Sequence, residues 1–210
     1  FIQDILCGRM HTRFLAAGTD LSFGGGGRGD WHLLKAMADR LGYQVRVIDK
    51  ILYEGREISS TYIKEEIGRG KMELAARLLG EPYCVSGRVM HGKRLGRTLG
   101  MPTVNLLPPA DKLLPPNGVY LSRITFEGTC YNGITNIGCR PTVSNTGQMS
   151  VETYLYDFQR EIYGDYVEVS LYSFKRPEKR FSSLEELKEN MACDISAGRE
   201  YWQKKSNGSG

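Results

Sequence analysis

The sequence predicts an α+β chain in two parts: strand and helix alternate over roughly the first eighty residues, then a small closed β-barrel is followed by one helix. Three observations carry this. Short apolar runs alternate with helix-length segments bounded by capping residues, up to Pro82. From Gly118 onward, short strands with period-two apolar spacing recur with turn residues between them. A single amphipathic stretch then carries the stripe Leu184, Leu187, Met191 and Ile195.

Each element has a local cause. Phe14-Leu15-Ala16-Ala17-Gly18 is a short apolar run suited to a buried strand. After the glycine-rich run Phe23 to Asp30, Asp30 is placed to cap a helix whose apolar positions are Leu33, Leu34, Met37 and Leu41, with Gly42 just past its end. Val45, Val47 and Ile48 suggest a second strand. Ile58-Ser59-Ser60-Thr61 precede a helical stretch from Tyr62 to Ile67, and another runs from Met72 to Leu79, closed by Gly80 and Pro82. Gly118 to Phe126 and Thr129 to Ile137 flank Glu127-Gly128 as a hairpin. Ser150 to Asp157 and Tyr166 to Phe174 are further strands; in the latter, Val167, Val169 and Leu171 alternate with Glu168, Ser170 and Tyr172. Ser182 and Glu185 have capping-box spacing at the start of the last helix.

The chemistry concentrates in Gly87 to Asn105, GRVMHGKRLGRTLGMPTVN. Glycines at 87, 92, 96 and 100 allow backbone N–H groups to approach a ligand closely. Lys93, Arg94 and Arg97 add positive charge, which suits polyphosphate oxygens. Thr103 and Asn105 stand two apart, so in an extended segment both side chains face one ion. Mg²⁺ fits, because it takes few protein ligands and completes its shell with water and phosphate. The bland alternative is a turn with solvated basic residues. Ser59, Ser60 and Thr61 offer hydroxyls at a helix start, either as an anion contact or as ordinary caps.

Composition narrows the function classes. Hydrophobic content of 40% and charged content of 25% are those of a globular protein. No apolar run of about 18 residues indicates a membrane span. The net charge of +4 is spread along the chain, without the clustering that nucleic-acid binders show, so polyanionic small molecules are the expected partners. Five scattered cysteines without a C-x-x-C pair argue against zinc and against a disulfide framework, and point to the cytoplasm. Oligomeric state is not written in the sequence.

The run G-x-x-x-G-R-x-L-G-x-P-T-x-N resembles the defining motif of the riboflavin kinase family. Further motifs follow in order: Gly118-Val119-Tyr120, Asn136-Ile137-Gly138 with Arg140-Pro141-Thr142, Val151-Glu152-Thr153, Tyr163-Gly164, and Arg176-Pro177-Glu178. The resemblance covers roughly Tyr83 to Trp202 and implies a six-stranded antiparallel β-barrel with a C-terminal helix. It implies ATP and riboflavin as substrates, FMN as product, and Mg²⁺ as cofactor. Residue by residue, it implies Gly92, Lys93, Gly96, Arg97, Gly100, Thr103 and Tyr163 at ATP, and Thr103 and Asn105 at Mg²⁺. It further implies Glu152 as the base, with Arg176, Lys179 and Phe181 at the flavin. The competing reading is a flavin- or nucleotide-binding fragment without turnover.

The first part is similar to the second half of an FMN adenylyltransferase module, through Gly18-x-Asp20-x-x-Phe23-Gly24, Gly26-x-x-Gly29-Asp30 and Ile58-Ser59-Ser60-Thr61-x-Ile63-Lys64. In bacterial bifunctional FAD synthetases that module precedes the kinase, so the resemblance implies an N-terminally truncated copy: a partial Rossmann-like nucleotidyltransferase domain at 1–82 and a kinase domain at 83–205. Ser59, Ser60, Thr61 and Lys64 would be its residual adenylyltransferase site. The family's H-x-G-H motif is not in the sequence, whose histidines are His11, His32 and His91, and Lys64 stands where the family has Arg. Lysine keeps the charge but not the bidentate fork.

Overall fold

The computed structural model describes residues 1–92, 101–140 and 148–207. Residues Phe1–Ile58 form one unit and Ser59 onward a second.

The first unit opens with a helical segment, Ile2–Arg9, that no sequence signal announced. Strand β1 (Phe14–Gly18) leads through helix α1 (Trp31–Leu41) to β2 (Gln44–Ile48). The two strands pair in parallel, Phe14 opposite Gln44 through Gly18 opposite Ile48, which needs a crossover such as α1. The caps are those the sequence predicts: Asp30 accepts from the Leu33 N–H at 2.9 Å, and Gly42 closes the helix at φ 70°. Leu34 and Ala38 bury against Ala17, Tyr43 and Ile2. A small hairpin follows, β3 (Leu52–Tyr53) with β4 (Arg56–Glu57), beside Lys50, which pairs with Asp20 and Glu57.

The second unit begins with α2 (Ser60–Gly68) and α3 (Met72–Leu79), both at their predicted places. Met72 and Ala75 are fully buried, and α3 packs on the barrel. Six antiparallel strands follow: β5 (Tyr83–Met90), β6 (Thr103–Leu106), β7 (Gly118–Phe126), β8 (Thr129–Arg140), β9 (Gln148–Leu155) and β10 (Tyr166–Pro177). They close in the order β10-β5-β6-β9-β8-β7. The β7–β8 turn has Glu127 at φ 49° and Gly128 at φ 75°, as a tight hairpin requires. Val85, Val89, Ile124, Val151, Val167, Val169 and Leu171 fill the interior. The buried Thr135 bridges Ser122 at 2.7 Å and Thr153 at 2.8 Å, so polar groups inside the barrel are satisfied.

Two strands escaped pattern reading. In β5 the inward positions are Val85, Gly87 and Val89. Gly87 is therefore a packing glycine, not a ligand-approach glycine: a Cβ there would lie 3.1 Å from Leu106 Cδ1. β6 has four residues, too few to show a period.

Helix α4 (Leu184–Asn207) lies against the outer face of the barrel, with Trp202 buried among Val119, Leu121, Ile134 and Tyr156. Its cap is one residue later than predicted. Ser183 Oγ accepts from the Glu186 N–H at 3.1 Å, and the Glu186 carboxylate accepts from the Ser182 N–H at 2.9 Å. Lys179, 2.9 Å from Glu186, favours this frame over one using the exposed Glu185.

Candidate active site

The site grows out of a row of outward-facing residues on neighbouring strands. Asn105 of β6 stands opposite Glu152 of β9, Glu152 opposite Asn136 of β8, Asn136 opposite Val119 of β7, and Val119 opposite Arg176 of β10. Alternation explains the placement on β9: Val151, Thr153 and Leu155 are buried in the barrel, so Glu152 and Tyr154 face outward. Arg176 follows a register irregularity between Phe174 and itself, a device that re-aims side chains.

Two cavities open on this surface. One, of about 300 Å³, lies between the barrel and α4. Val119, Ile134, Tyr154 and Phe181 give it apolar walls, with Glu152, Asn136, Arg176 and Lys179 as polar points. That is the character of a slot for a flat ring with polar edges. The other, of about 160 Å³, is lined by Gly92, Pro102, Asn105, Arg160 and Tyr163. Thr103 lines both cavities.

At the junction, Asn105 Nδ2 donates to Thr103 Oγ1 at 3.2 Å. The two side chains thus converge as the i, i+2 spacing predicts. Gly92 closes this corner: a Cβ there would lie 2.5 Å from the Asn105 amide atoms. The Tyr163 ring stacks on His91 with centroids 3.9 Å apart.

Two of the residues expected at the flavin, Arg176 and Lys179, are held by ion pairs. Arg176 binds Asp194 through Nε at 3.1 Å and Nη2 at 2.6 Å, and its Nη1 donates to the Pro177 carbonyl at 3.1 Å. Lys179 pairs with Glu186 and sits over the Phe181 ring, 5.6 Å from its centroid. That lysine, with the Ser182 N–H and hydroxyl, holds the Glu186 carboxyl down at about 2. Glu178 accepts from Asn117 at 3.2 Å. Gly138 of the NIG motif leaves room for it, since a Cβ there would lie 2.5 Å from Glu178 Oε1.

Glu152, Thr103, Arg176, Lys179 and Phe181 come together at the larger cavity; Gly92, Thr103, Asn105 and Tyr163 come together at the smaller. Lys93, Arg94, Gly96, Arg97 and Gly100 lie outside the described residues, as do Pro141 and Thr142. On α2, the Ser59 hydroxyl accepts from the Tyr62 N–H at 3.2 Å, the ordinary cap, and Ser60, Thr61 and Lys64 are exposed. The reading from motifs gave no role to Asp194 or Asn136, both of which line the larger cavity. A signal existed for Asp194: it shares the helix face of Leu187, Met191 and Ile195, where a carboxylate is out of place.

Comparisons with known proteins agree with this geometry. The family model described as riboflavin kinase matches residues 79–202, and the one described as FAD synthetase matches residues 1–62. A bifunctional riboflavin kinase/FMN adenylyltransferase of Haemophilus influenzae is 36% identical over 203 residues, covering 96% of this chain and 65% of that protein. The protein of the same description from Escherichia coli K12 is 38% identical over 203 residues, covering 96% of this chain and 64% of its own length. The chain thus spans a little under two thirds of these relatives. A solved structure described as a macrolide-efflux protein from Streptococcus pneumoniae superposes with a TM-score of 0.78 at 30% identity, covering 87% of this chain and 58% of the other. The kinase match runs through every strand of the barrel and the cavity-lining part of α4, and by it the chain belongs to the riboflavin kinase family.

Proposed function

We propose that this chain transfers the γ-phosphoryl group of ATP to the ribityl 5′-hydroxyl of riboflavin, giving FMN and ADP. The observation that carries the reading is the pair of cavities meeting at Thr103, with Glu152 on one side of the junction and Asn105 opposite it on the neighbouring strand. Phosphoryl transfer needs an acceptor hydroxyl and the nucleotide phosphates brought in line from two sides.

In this reading the larger cavity holds the isoalloxazine ring between apolar walls, with Arg176 and Lys179 at its polar edges. The smaller receives the nucleotide beside Tyr163, and Lys93, Gly96, Arg97 and Gly100 contact its phosphates. Glu152 takes the hydroxyl proton as the new O–P bond forms and the bond to the leaving ADP breaks. Thr103 and Asn105 would hold Mg²⁺ through the Thr103 hydroxyl and the Asn105 amide oxygen: the side chains converge, with the amide, whose Nδ2 donates to Thr103 Oγ1, turned to present its oxygen, and an ion that keeps water and phosphate oxygens needs few protein ligands. When bound there, Mg²⁺ would neutralise phosphate charge.

By motif the modules divide at 82/83, whereas by packing α2 and α3 sit with the barrel. Ser59, Ser60, Thr61 and Lys64 belong, in this reading, to the residual adenylyltransferase site, and FMN rather than FAD is the end product of the chain. The cytoplasm, where thiols stay reduced, suits the five free cysteines. No helix among the described residues is long and apolar enough to cross a membrane. Incubation with riboflavin and excess ATP-Mg²⁺, with products separated by chromatography, tests the proposal. FMN that accumulates without FAD supports it; absence of FMN from folded protein, or FAD forming as fast as FMN, contradicts it.

A further inference from the structure

Asp194 is a carboxylate on an apolar helix face. Its neighbours on that face, Leu187, Met191 and Ile195, line the larger cavity with it. Asp194 is 7% exposed, and a carboxylate that buried is costly unless paired. Its partner is Arg176, on β10 across the cavity, and the pairing is a fork: Nε reaches both carboxylate oxygens at 3.1 Å, and Nη2 reaches Oδ2 at 2.6 Å. With the Nη1 bond to the Pro177 carbonyl, these contacts use three of the five guanidinium N–H groups. Two remain for a further acceptor.

Arg176 is at one end of the cross-strand row and Glu152 lies three strands away, about 14 Å at the usual strand spacing. A ligand that spans the row is therefore anchored at one end by the guanidinium and presented at the other to the carboxylate. An arginine side chain free to choose among rotamers makes a poor anchor. One clamped on its Nε edge presents its remaining donors in a fixed direction.

We propose that Asp194 is a positioning residue for flavin: it clamps Arg176 so that the free N–H groups meet the polar edge of the bound ring, and it makes α4 part of the flavin site. This rests on the larger cavity being the flavin site. Loss of the clamp therefore weakens riboflavin binding and leaves the nucleotide side untouched.

The test uses Asp194→Asn, which keeps shape but gives up the charge and half of the fork, and Arg176→Lys, which keeps charge but cannot fork. Riboflavin affinity is read from quenching of flavin fluorescence, and KM for riboflavin and for ATP is measured separately, with thermal melting to show that each variant is folded. Both variants are expected to raise the riboflavin Kd and KM about ten-fold or more, with the ATP KM within about two-fold. The double variant is expected to lose no more than the worse single one. An unchanged riboflavin Kd in folded Asp194→Asn, or equal changes in both KM values, overturns the proposal while riboflavin binding by the unaltered chain upholds the functional reading. Absence of riboflavin binding by the unaltered chain overturns both.

Discussion

Replacing Gly198 by alanine tests how α4 is seated against the barrel. Gly198 is buried at the contact, and an added methyl would fall directly on Tyr156 Oη and lie 3.5 Å from Leu121 Cδ2. The phenol has no easy escape: Tyr156 is 7% exposed, donates to the Ile195 carbonyl at 3.0 Å, and meets the Tyr154 ring edge-on. Burial pushes its pKa up to about 12, so it remains a protonated donor at neutral pH. Three effects set the magnitude. Overpacking costs about 1–3 kcal/mol. Displacing the Tyr156 hydrogen bond costs about 1 kcal/mol. Alanine in a helix interior returns about 1 kcal/mol relative to glycine. The net is a loss of about 1–3 kcal/mol, which in a unit of this size lowers Tm by about 2–12 °C. Ile195 and Tyr154 line the larger cavity, the proposed flavin site, so the riboflavin Kd is expected to rise with the loss of stability. Thermal melting is the assay, run as a cycle with Tyr156→Phe. Removing the hydroxyl relieves the overlap, so Gly198→Ala costs less in the Tyr156→Phe background than alone. A higher Tm for Gly198→Ala, or strictly additive effects in the cycle, contradicts this seating of Gly198 on Tyr156.

Other consequences are equally direct. Glu152→Gln keeps shape between Asn105 and Asn136 but cannot accept the proton, so kcat falls by about 10²–10⁴-fold while riboflavin binding by fluorescence stays within about two-fold. Near-full turnover returns Glu152 to the role of a solvated strand residue. Gly92→Ala drives a methyl into the Asn105 amide, so the Mg²⁺ concentration for half-maximal rate rises while riboflavin affinity holds; an unchanged Mg²⁺ titration contradicts the site at Thr103 and Asn105. Glu186, held at about 2 against an ordinary 4.5, stabilises the start of α4 above pH 4.5, and that contribution is lost as pH falls from there toward 2. Tm measured across this range therefore falls less steeply in Glu186→Gln than in the unaltered chain.

Local signals carried most of the fold. Asp30 and Gly42 mark α1 because capping is a matter of neighbouring atoms, and β10 is legible because its buried valines alternate over a full period-two run. The same logic fails at β5, where Gly87 makes room for Leu106 and so breaks the apolar pattern. It fails at β6, which is a strand only because β5 and β9 flank it. In the site, Thr103 and Asn105 were legible because two residues apart on extended backbone means one face. Glu152 is chemically anonymous on its strand and was found only through the V-E-T match. The Arg176–Asp194 fork joins residues 18 apart through register shifts in β10 and the seating of α4, so no local rule could have paired them.

Following the phosphorus tests whether transfer runs between the two cavities that share Thr103. Riboflavin and Mg²⁺ are supplied with ATP labelled at the γ-phosphate, and the products are separated by chromatography. Label is expected in FMN in equal amount to the ADP released, and that label is expected to be lost in Glu152→Gln protein that still binds both substrates. Label released only as inorganic phosphate, or no FMN from folded protein that binds riboflavin and ATP, contradicts that transfer.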